Sequence, residues 1–263
     1  MRVETITSAQ NPKIRNLLSL QEKSRTRREQ GLFVVEGRRE LAHALEAGFR
    51  AKTVFVREDL FSELEPLVTK ADCPVVLLSP ALYAKAAYRE GTEGIIAEME
   101  VRERRLEDLP LSEHPLVVVL ESVEKPGNLG AVLRSADAAR ADAVIVCDPL
   151  TDLWNPNLIR ASLGGIFTVP TVCATSEETI AWLRAQGIRI LTAQLQDSSW
   201  YYDTDMTGGT ALVMGTESTG LTDRWREAAD AHIRIPMLGR LDSLNVSVSA
   251  AILLFEAVRQ RNS

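Results

Sequence analysis

Apolar residues recur along this chain in two alternating rhythms. Runs such as "LFVVEG" (32–37), "AKTVFVRED" (51–59), "CPVVLLSP" (73–80) and "GIIAEME" (94–100) are short, β-branched and bounded by Gly or Pro, so they read as strands. Between them "SAQNPKIRNLLSLQEKSRTRREQG" (8–31) predicts a capped helix and a basic turn ending at Gly31. "RRELAHALEAG" (38–48) predicts a helix stopped by Gly48, and a third helix is expected at 60–71. The charged, proline-containing stretch 101–114 breaks the pattern and reads as a linker. Beyond it, strands are expected at 115–123, 141–149, 188–195, 210–215 and 232–237. Helices are expected at 125–140, inside 156–170, at 176–187 with Ser176 as cap and Gly187 as stop, and at 222–231. Strand and helix alternate throughout, which predicts an α/β fold with a largely parallel sheet in 115–263, preceded by a smaller α/β domain in 1–100.

One stretch carries both rhythms. "DSLNVSVSAAILLFEAVRQR" (242–261) begins with polar–apolar alternation, yet Leu244, Val248, Ala251, Phe255 and Val258 keep close to helical spacing. A helix starting near Ser243, capped by Asp242 or Ser243, reconciles them. It places Ser243 and Asn245 at a helix N-terminus, where polar or anionic ligand groups are favoured.

Composition narrows the function. No apolar run approaches the ~20 residues of a membrane helix, and the N-terminus lacks a signal-peptide core. Three scattered cysteines suit free thiols in a reducing cytoplasm. The three histidines form no spaced pair, so no metal site is expected. The net charge of −6 is unevenly spread: residues 1–52 carry eleven Lys or Arg against six acids, leaving the remainder at −11. A basic segment on an acidic body suggests phosphate contact, with Arg25, Arg27 and Arg28 as candidates. On charge alone a solvated helix face is an equal reading.

In parallel sheets, ligands bind beyond the carboxyl ends of the strands. Three small-residue loops fall there. "PGNLGAVLRSA" (126–136) offers Gly127 and Gly130 for a tight turn, Asn128 as a helix cap and Arg134 six residues on. "MGTESTGL" (214–221) leaves a strand through Gly215 and presents Glu217. The third is "IPMLGRLDSLNVSVSA" (235–250). None is a dinucleotide-binding G-x-G-x-x-G loop.

Taken in order, "NLGAVLRSADAA", "VMGTESTGL" and "IPMLGRLDSLNVSVSAAILLFE" resemble the three motifs of the SpoU/TrmH-type RNA ribose 2′-O-methyltransferases of the SPOUT superfamily, and "LIRASLGGIFTVP" fits the segment between the first two. The N-terminal "SAQNPKIRNLLSL…LFVVEGRRELAHALEAG" resembles, less specifically, their ribosomal-protein-L30e-like substrate-binding domain. The resemblance implies a deep C-terminal trefoil knot, a feature general folding rules would not suggest, and S-adenosylmethionine as methyl donor. By motif position Thr192, Gly215, Ile235, Met237 and Leu244 would line the donor pocket. Asn128, Arg134, Glu217, Ser243 and Asn245 match the family's polar set. It also implies a homodimer through the knotted domain, for which Leu133, Leu254 and Val258 are candidates, and an RNA substrate, ribosomal RNA before transfer RNA. One departure is a glycine usual after the first motif's helix, replaced around Arg140.

The implied reaction is attack of a ribose 2′-hydroxyl on a sulfonium methyl, catalysed largely by positioning. A guanidinium stays protonated, so Arg134 is expected to stabilise developing oxyanion charge rather than take the proton. Asn128, Glu217, Ser243 and Asn245 would hold that arginine and the ribose. Two other readings compete: a Rossmann-type nucleotide-dependent enzyme, which needs a glycine fingerprint with an acid about twenty residues on, and a non-catalytic RNA-binding module, which would not bind the donor.

Overall fold

The computed structural model describes residues 2–88, 93–216 and 219–262. The chain forms two compact units, Met1–Arg102 with Asp152–Thr168, and Glu103–Thr151 with Val169–Ser263. The first unit contains β1 (Val3–Ile6), α1 (Pro12–Glu22), α2 (Ser24–Gln30), β2 (Leu32–Glu36), α3 (Arg38–Glu46), β3 (Ala51–Arg57), α4 (Phe61–Ala71), β4 (Val75–Leu78), α5 (Pro80–Ala86) and β5 (Ile95–Glu100). In the second, β6 (Leu116–Glu121), α6 (Pro126–Ala138) and β7 (Ala143–Cys147) precede a return to the first unit for α7 (Pro156–Ser162) and α8 (Gly165–Thr168). The second unit resumes with β8 (Thr171–Ala174), α9 (Ser176–Ala185), β9 (Arg189–Ala193), β10 (Ser199–Trp200), β11 (Thr210–Met214), α10 (Asp223–Ala228), β12 (Ala231–Arg234) and α11 (Val246–Arg261).

The first unit is built on a mixed five-stranded sheet, order β1-β4-β3-β5-β2, with β5 antiparallel to both neighbours. Ile14, Leu17 and Leu20 of α1, at helical spacing, bury against Val34, Phe55, Val76 and Ile96. The expected basic turn after α1 is a second helix. Lys23 ends α1 in an extended conformation and Gly31, at φ 63°, ends α2 in the left-handed region that glycine enters without penalty.

That helix corrects the charge reading. Arg27 is only 3% exposed. It donates to Asp152 Oδ2 and the Leu20 carbonyl, both at 2.6 Å, and to the Gln21 carbonyl at 3.1 Å. It is therefore a structural ion pair holding the returning segment 152–168, not a phosphate contact. Asp152 Oδ1 also accepts from Trp154 N at 2.9 Å. Trp154 stacks on Phe33 at 4.3 Å, and Phe167 of α8 meets Phe49 edge-on at 5.3 Å.

The second unit has a seven-stranded sheet, order β10-β12-β9-β11-β6-β7-β8, every pairing parallel. The central strands β6, β7 and β11 are buried at every position, on both faces, which explains their continuous apolar runs. Val117, Val119, Ile145 and Val213 pack in one core with Ile180 and Leu183 of α9 and Trp225 of α10. Strand alternation turns Val118, Leu120, Val144 and Leu212 to the opposite face, and α6 and α11 pack on each other. Part of the expected linker belongs to this unit, with Leu106 and Leu109 buried in its core.

Two helix starts differ from expectation. Thr175, not Ser176, caps α9, exchanging bonds with Glu178 in a capping box. Ser176 is buried and bonds Asp148 Oδ2 at 2.6 Å. Asn128 lies inside the first turn of α6 rather than capping it. Arg140, where the family's glycine is replaced, follows α6 with φ 52°. A left-handed position just past a helix end is where glycine is preferred.

Candidate active site

The carboxyl ends of β9, β11 and β12 open onto a cavity of about 350 Å³. Each strand supplies one wall: Gln194–Gln196 after β9, Gly215 and Thr216 after β11, and Ile235 and Met237 after β12. Asp242, Ser243, Leu244, Val246 and Ser249 close the remaining side. A second cavity of about 110 Å³ shares Gly215, Thr216 and Val246 with the first and adds Val123, Glu124, Lys125 and Asn128.

Gly215 is required by packing. A Cβ built there would lie 2.2 Å from the Gly220 carbonyl oxygen and 2.5 Å from Leu221 N. The loop closes tightly on itself, with Gly220 N donating to the Thr216 carbonyl at 3.0 Å. Its far end is held by Glu121, a buried carboxylate at the end of β6 that accepts from Thr222 N at 2.9 Å and Thr222 Oγ1 at 2.7 Å.

The last helix starts later than expected. Asn245 caps α11 by accepting from Ser247 N at 2.9 Å. Residues 242–244 are therefore cavity-lining loop, and the polar–apolar alternation belongs partly to that loop. The same Asn245 side chain donates through Nδ2 to Asn128 Oδ1 at 3.2 Å, joining the first and third motifs across 117 positions.

Of the expected donor-pocket residues, Gly215, Ile235, Met237 and Leu244 line the cavity, as does Ser243. Thr192 does not. It is fully buried within β9, its hydroxyl 2.6 Å from His232 Nδ1, so it ties β9 to β12 beneath the site. Arg134 is exposed on α6, six residues and roughly 9 Å along the axis from Asn128. It lines neither cavity and bonds none of the described residues. Glu217 lies outside the described residues. The sequence reading missed Gln194, Arg226 and Arg234, all on the cavity wall. The strand-end rule contained the signal for Gln194 and Arg234, each adjoining the end of a strand already identified.

The cavity suits a nucleoside-sized ligand. Its volume falls in the range of small-molecule sites, with apolar walls and a few polar groups. Gln194 Oε1, Arg226 Nε and Arg234 Nε are buried without hydrogen-bond partners. An acceptor and two cationic donors held open in this way match the amine and carboxylate chemistry of S-adenosylmethionine. No group of His, Cys, Asp and Glu among the described residues could hold a metal ion.

Residues 115–255 match the SpoU rRNA Methylase family, and residues 11–97 match the MRM3-like substrate binding domain. The chain is 31% identical over 242 residues to the 23S rRNA (uridine(2479)-2'-O)-methyltransferase of Streptomyces viridochromogenes, covering 89% of this chain and 84% of that one. It is 29% identical over 255 residues to the 23S rRNA (guanosine(2553)-2'-O)-methyltransferase RlmP of Bacillus subtilis, covering 96% and 98%. The AdoMet-bound rRNA methyltransferase of Sinorhizobium meliloti superposes with a TM-score of 0.90 at 30% identity, over 98% of both chains. With three motifs gathered around one cavity at the strand ends, and with matches spanning both units, this chain belongs to the SpoU rRNA methylase family of S-adenosylmethionine-dependent RNA ribose 2′-O-methyltransferases.

Proposed function

We propose that the protein methylates a ribose 2′-hydroxyl of 23S ribosomal RNA. The observation that carries this reading is that the 350 Å³ cavity and the smaller one lie against the same residues, Gly215, Thr216 and Val246. The larger cavity fits the methyl donor, and the smaller, lined by Asn128, is where a ribose can approach it. Ribosomal RNA is favoured over transfer RNA because both full-length relatives act on 23S rRNA.

S-adenosylmethionine supplies an electrophilic methyl group. Gly215, Ile235, Met237 and Leu244 hold the donor, with Gln194 accepting from an amine. Asn128, fixed by Asn245, orients the ribose, and Ser243 hydrogen-bonds it from the cavity side. Glu217 and Arg134 complete the polar set, Arg134 supplying the cation for developing oxyanion charge. Thr192 acts only through the β9–β12 packing.

The working form is a homodimer through the knotted second unit. Leu133 and Leu254 are buried within the protomer, so the mating surface is the other stripe of α11, where Val248 and Phe255 stand exposed seven residues apart. The protein acts in the cytoplasm. Among the described residues no helix is long and apolar enough to cross a membrane.

The test is methyl transfer from labelled S-adenosylmethionine to protein-free 23S rRNA and to transfer RNA, with the modified position mapped. Arg134→Ala should keep donor and RNA affinity within a few-fold and lose at least about 100-fold in single-turnover rate. Near-normal transfer would remove Arg134 from the set, and transfer to transfer RNA alone would overturn the substrate assignment.

A further inference from the structure

The segment after β9 carries three consecutive aromatic residues, Trp200, Tyr201 and Tyr202, that neither the fold nor the donor cavity uses. Trp200 sits on β10, the two-residue edge strand, paired with Arg234 of β12. Trp200 is 36% exposed and Tyr202 45%. Their ring centroids lie 6.3 Å apart with planes inclined by 21°, and Tyr201 meets Tyr202 edge-on at 5.1 Å. Solvent-facing aromatic clusters of this kind mark binding surfaces more often than scattered exposed residues do.

Two observations select the ligand. First, the Arg234 guanidinium carbon lies 4.3 Å from the Trp200 ring centroid, and Arg234 also lines the donor cavity. The Trp200 ring therefore stands one guanidinium away from the proposed donor cavity. Secondly, the flanking charges are acidic: Asp197, Asp203 and Asp205 are all exposed. Such a surface disfavours a run of phosphates, so what it offers a nucleic acid is the exposed ring surface of Trp200 and Tyr202, which suits an uncharged base. Proteins read single-stranded RNA by stacking splayed bases on aromatic and arginine planes.

We propose that Trp200, backed by Arg234 and flanked by Tyr202, is a stacking platform for an unpaired nucleobase of the substrate RNA, next to the nucleotide whose ribose is methylated. This rests on the methyltransferase reading of the adjoining cavity. The platform orders an unstacked nucleotide beside the donor and selects single-stranded over duplex targets, without contributing to the methyl-transfer step.

The test uses the full chain. Trp182 and Trp225 are buried and Trp154 half-buried, so Trp200 is the most exposed tryptophan. A single-stranded oligoadenylate should quench the protein's fluorescence, and a duplex of the same length should not. Trp200→Phe should abolish the quench and keep the KM for 23S rRNA within about 3-fold. Trp200→Ala should raise that KM by about 5- to 150-fold, the loss expected for one stacked base, with kcat at saturating RNA and saturating donor unchanged. An unchanged KM in both Trp200→Ala and Tyr202→Ala would overturn the proposal. So would dissociation of the wild-type oligomer by Trp200→Ala, which would make the patch a protein interface. The oligoadenylate quench needs no catalysis, so a wild-type chain that quenched yet bound no S-adenosylmethionine would refute the functional reading and leave the platform standing.

Discussion

Replacing Arg27 by alanine separates structural from electrostatic roles in the basic N-terminal segment. The substitution removes three donated hydrogen bonds, two of them at 2.6 Å, and leaves the Asp152 side chain, 13% exposed, without its cation. Removing one partner of a buried ion pair costs about 3–5 kcal/mol, because the remaining charge stays desolvated. Residual solvent access at Asp152 favours the lower end, about 3 kcal/mol. At about 2–4 °C per kcal/mol for a chain of this size, the melting temperature should fall by about 6–12 °C. Arg28→Ala, at an exposed position, should stay within about 0.5 kcal/mol of wild type and instead weaken RNA binding with a shallower salt dependence. Asp152→Asn keeps an acceptor for Trp154 N and for Arg27 while removing the charge, so it should fall between the two. Urea unfolding followed by circular dichroism measures all three. If Arg27→Ala unfolded within 1 kcal/mol of wild type and lost RNA affinity like Arg28→Ala, Arg27 would be a phosphate contact after all.

Three further outcomes are expected. Gly215→Ala should abolish S-adenosylmethionine binding by calorimetry, because the new Cβ, 2.2 Å from the Gly220 carbonyl oxygen, forces one cavity wall to move; unchanged affinity would detach this loop from the donor site. Arg140→Gly should raise unfolding stability by about 0.5–1 kcal/mol by relieving a left-handed non-glycine residue at φ 52°, and a loss of stability would contradict that. At pH 8 a thiol reagent should modify only Cys173, which is exposed. Burial pushes the thiols of Cys147 to about 12 and Cys73 to about 11, which keeps them protonated and unreactive until the chain unfolds; fast labelling of three thiols in the folded protein would refute it.

The units also decide which fragments can be tested. Residues 115–263 look like a domain in the sequence, yet Leu158, Ile159, Ile166 and Phe167 are buried in the first unit. Cutting at 115 would expose them, so donor binding is best measured on the full chain.

The alternation of strands and helices, the parallel sheet and the loops that hold the motifs were legible from periodicity and from glycine and proline placement, because those signals are local. Gly215, Ile235, Met237, Ser243 and Leu244 were legible as motif residues, and the structure lines one cavity with them. What the sequence hid depends on distance along the chain. Arg27 looks like its neighbours Arg25 and Arg28 until Asp152, 125 residues away, arrives to bury it. Thr192 lies two residues before Gln194, on the same face of the sheet by strand alternation, and only the contact with His232 on the neighbouring strand shows that its hydroxyl is taken up beneath the cavity. The bond between Asn128 and Asn245, the start of α11 at Val246 rather than Ser243, and the place of Arg234 beneath Trp200 are likewise products of the assembled sheet. Local pattern sets which elements form; which of their polar groups meet is decided by packing, since burial and pairing are properties of neighbours in space.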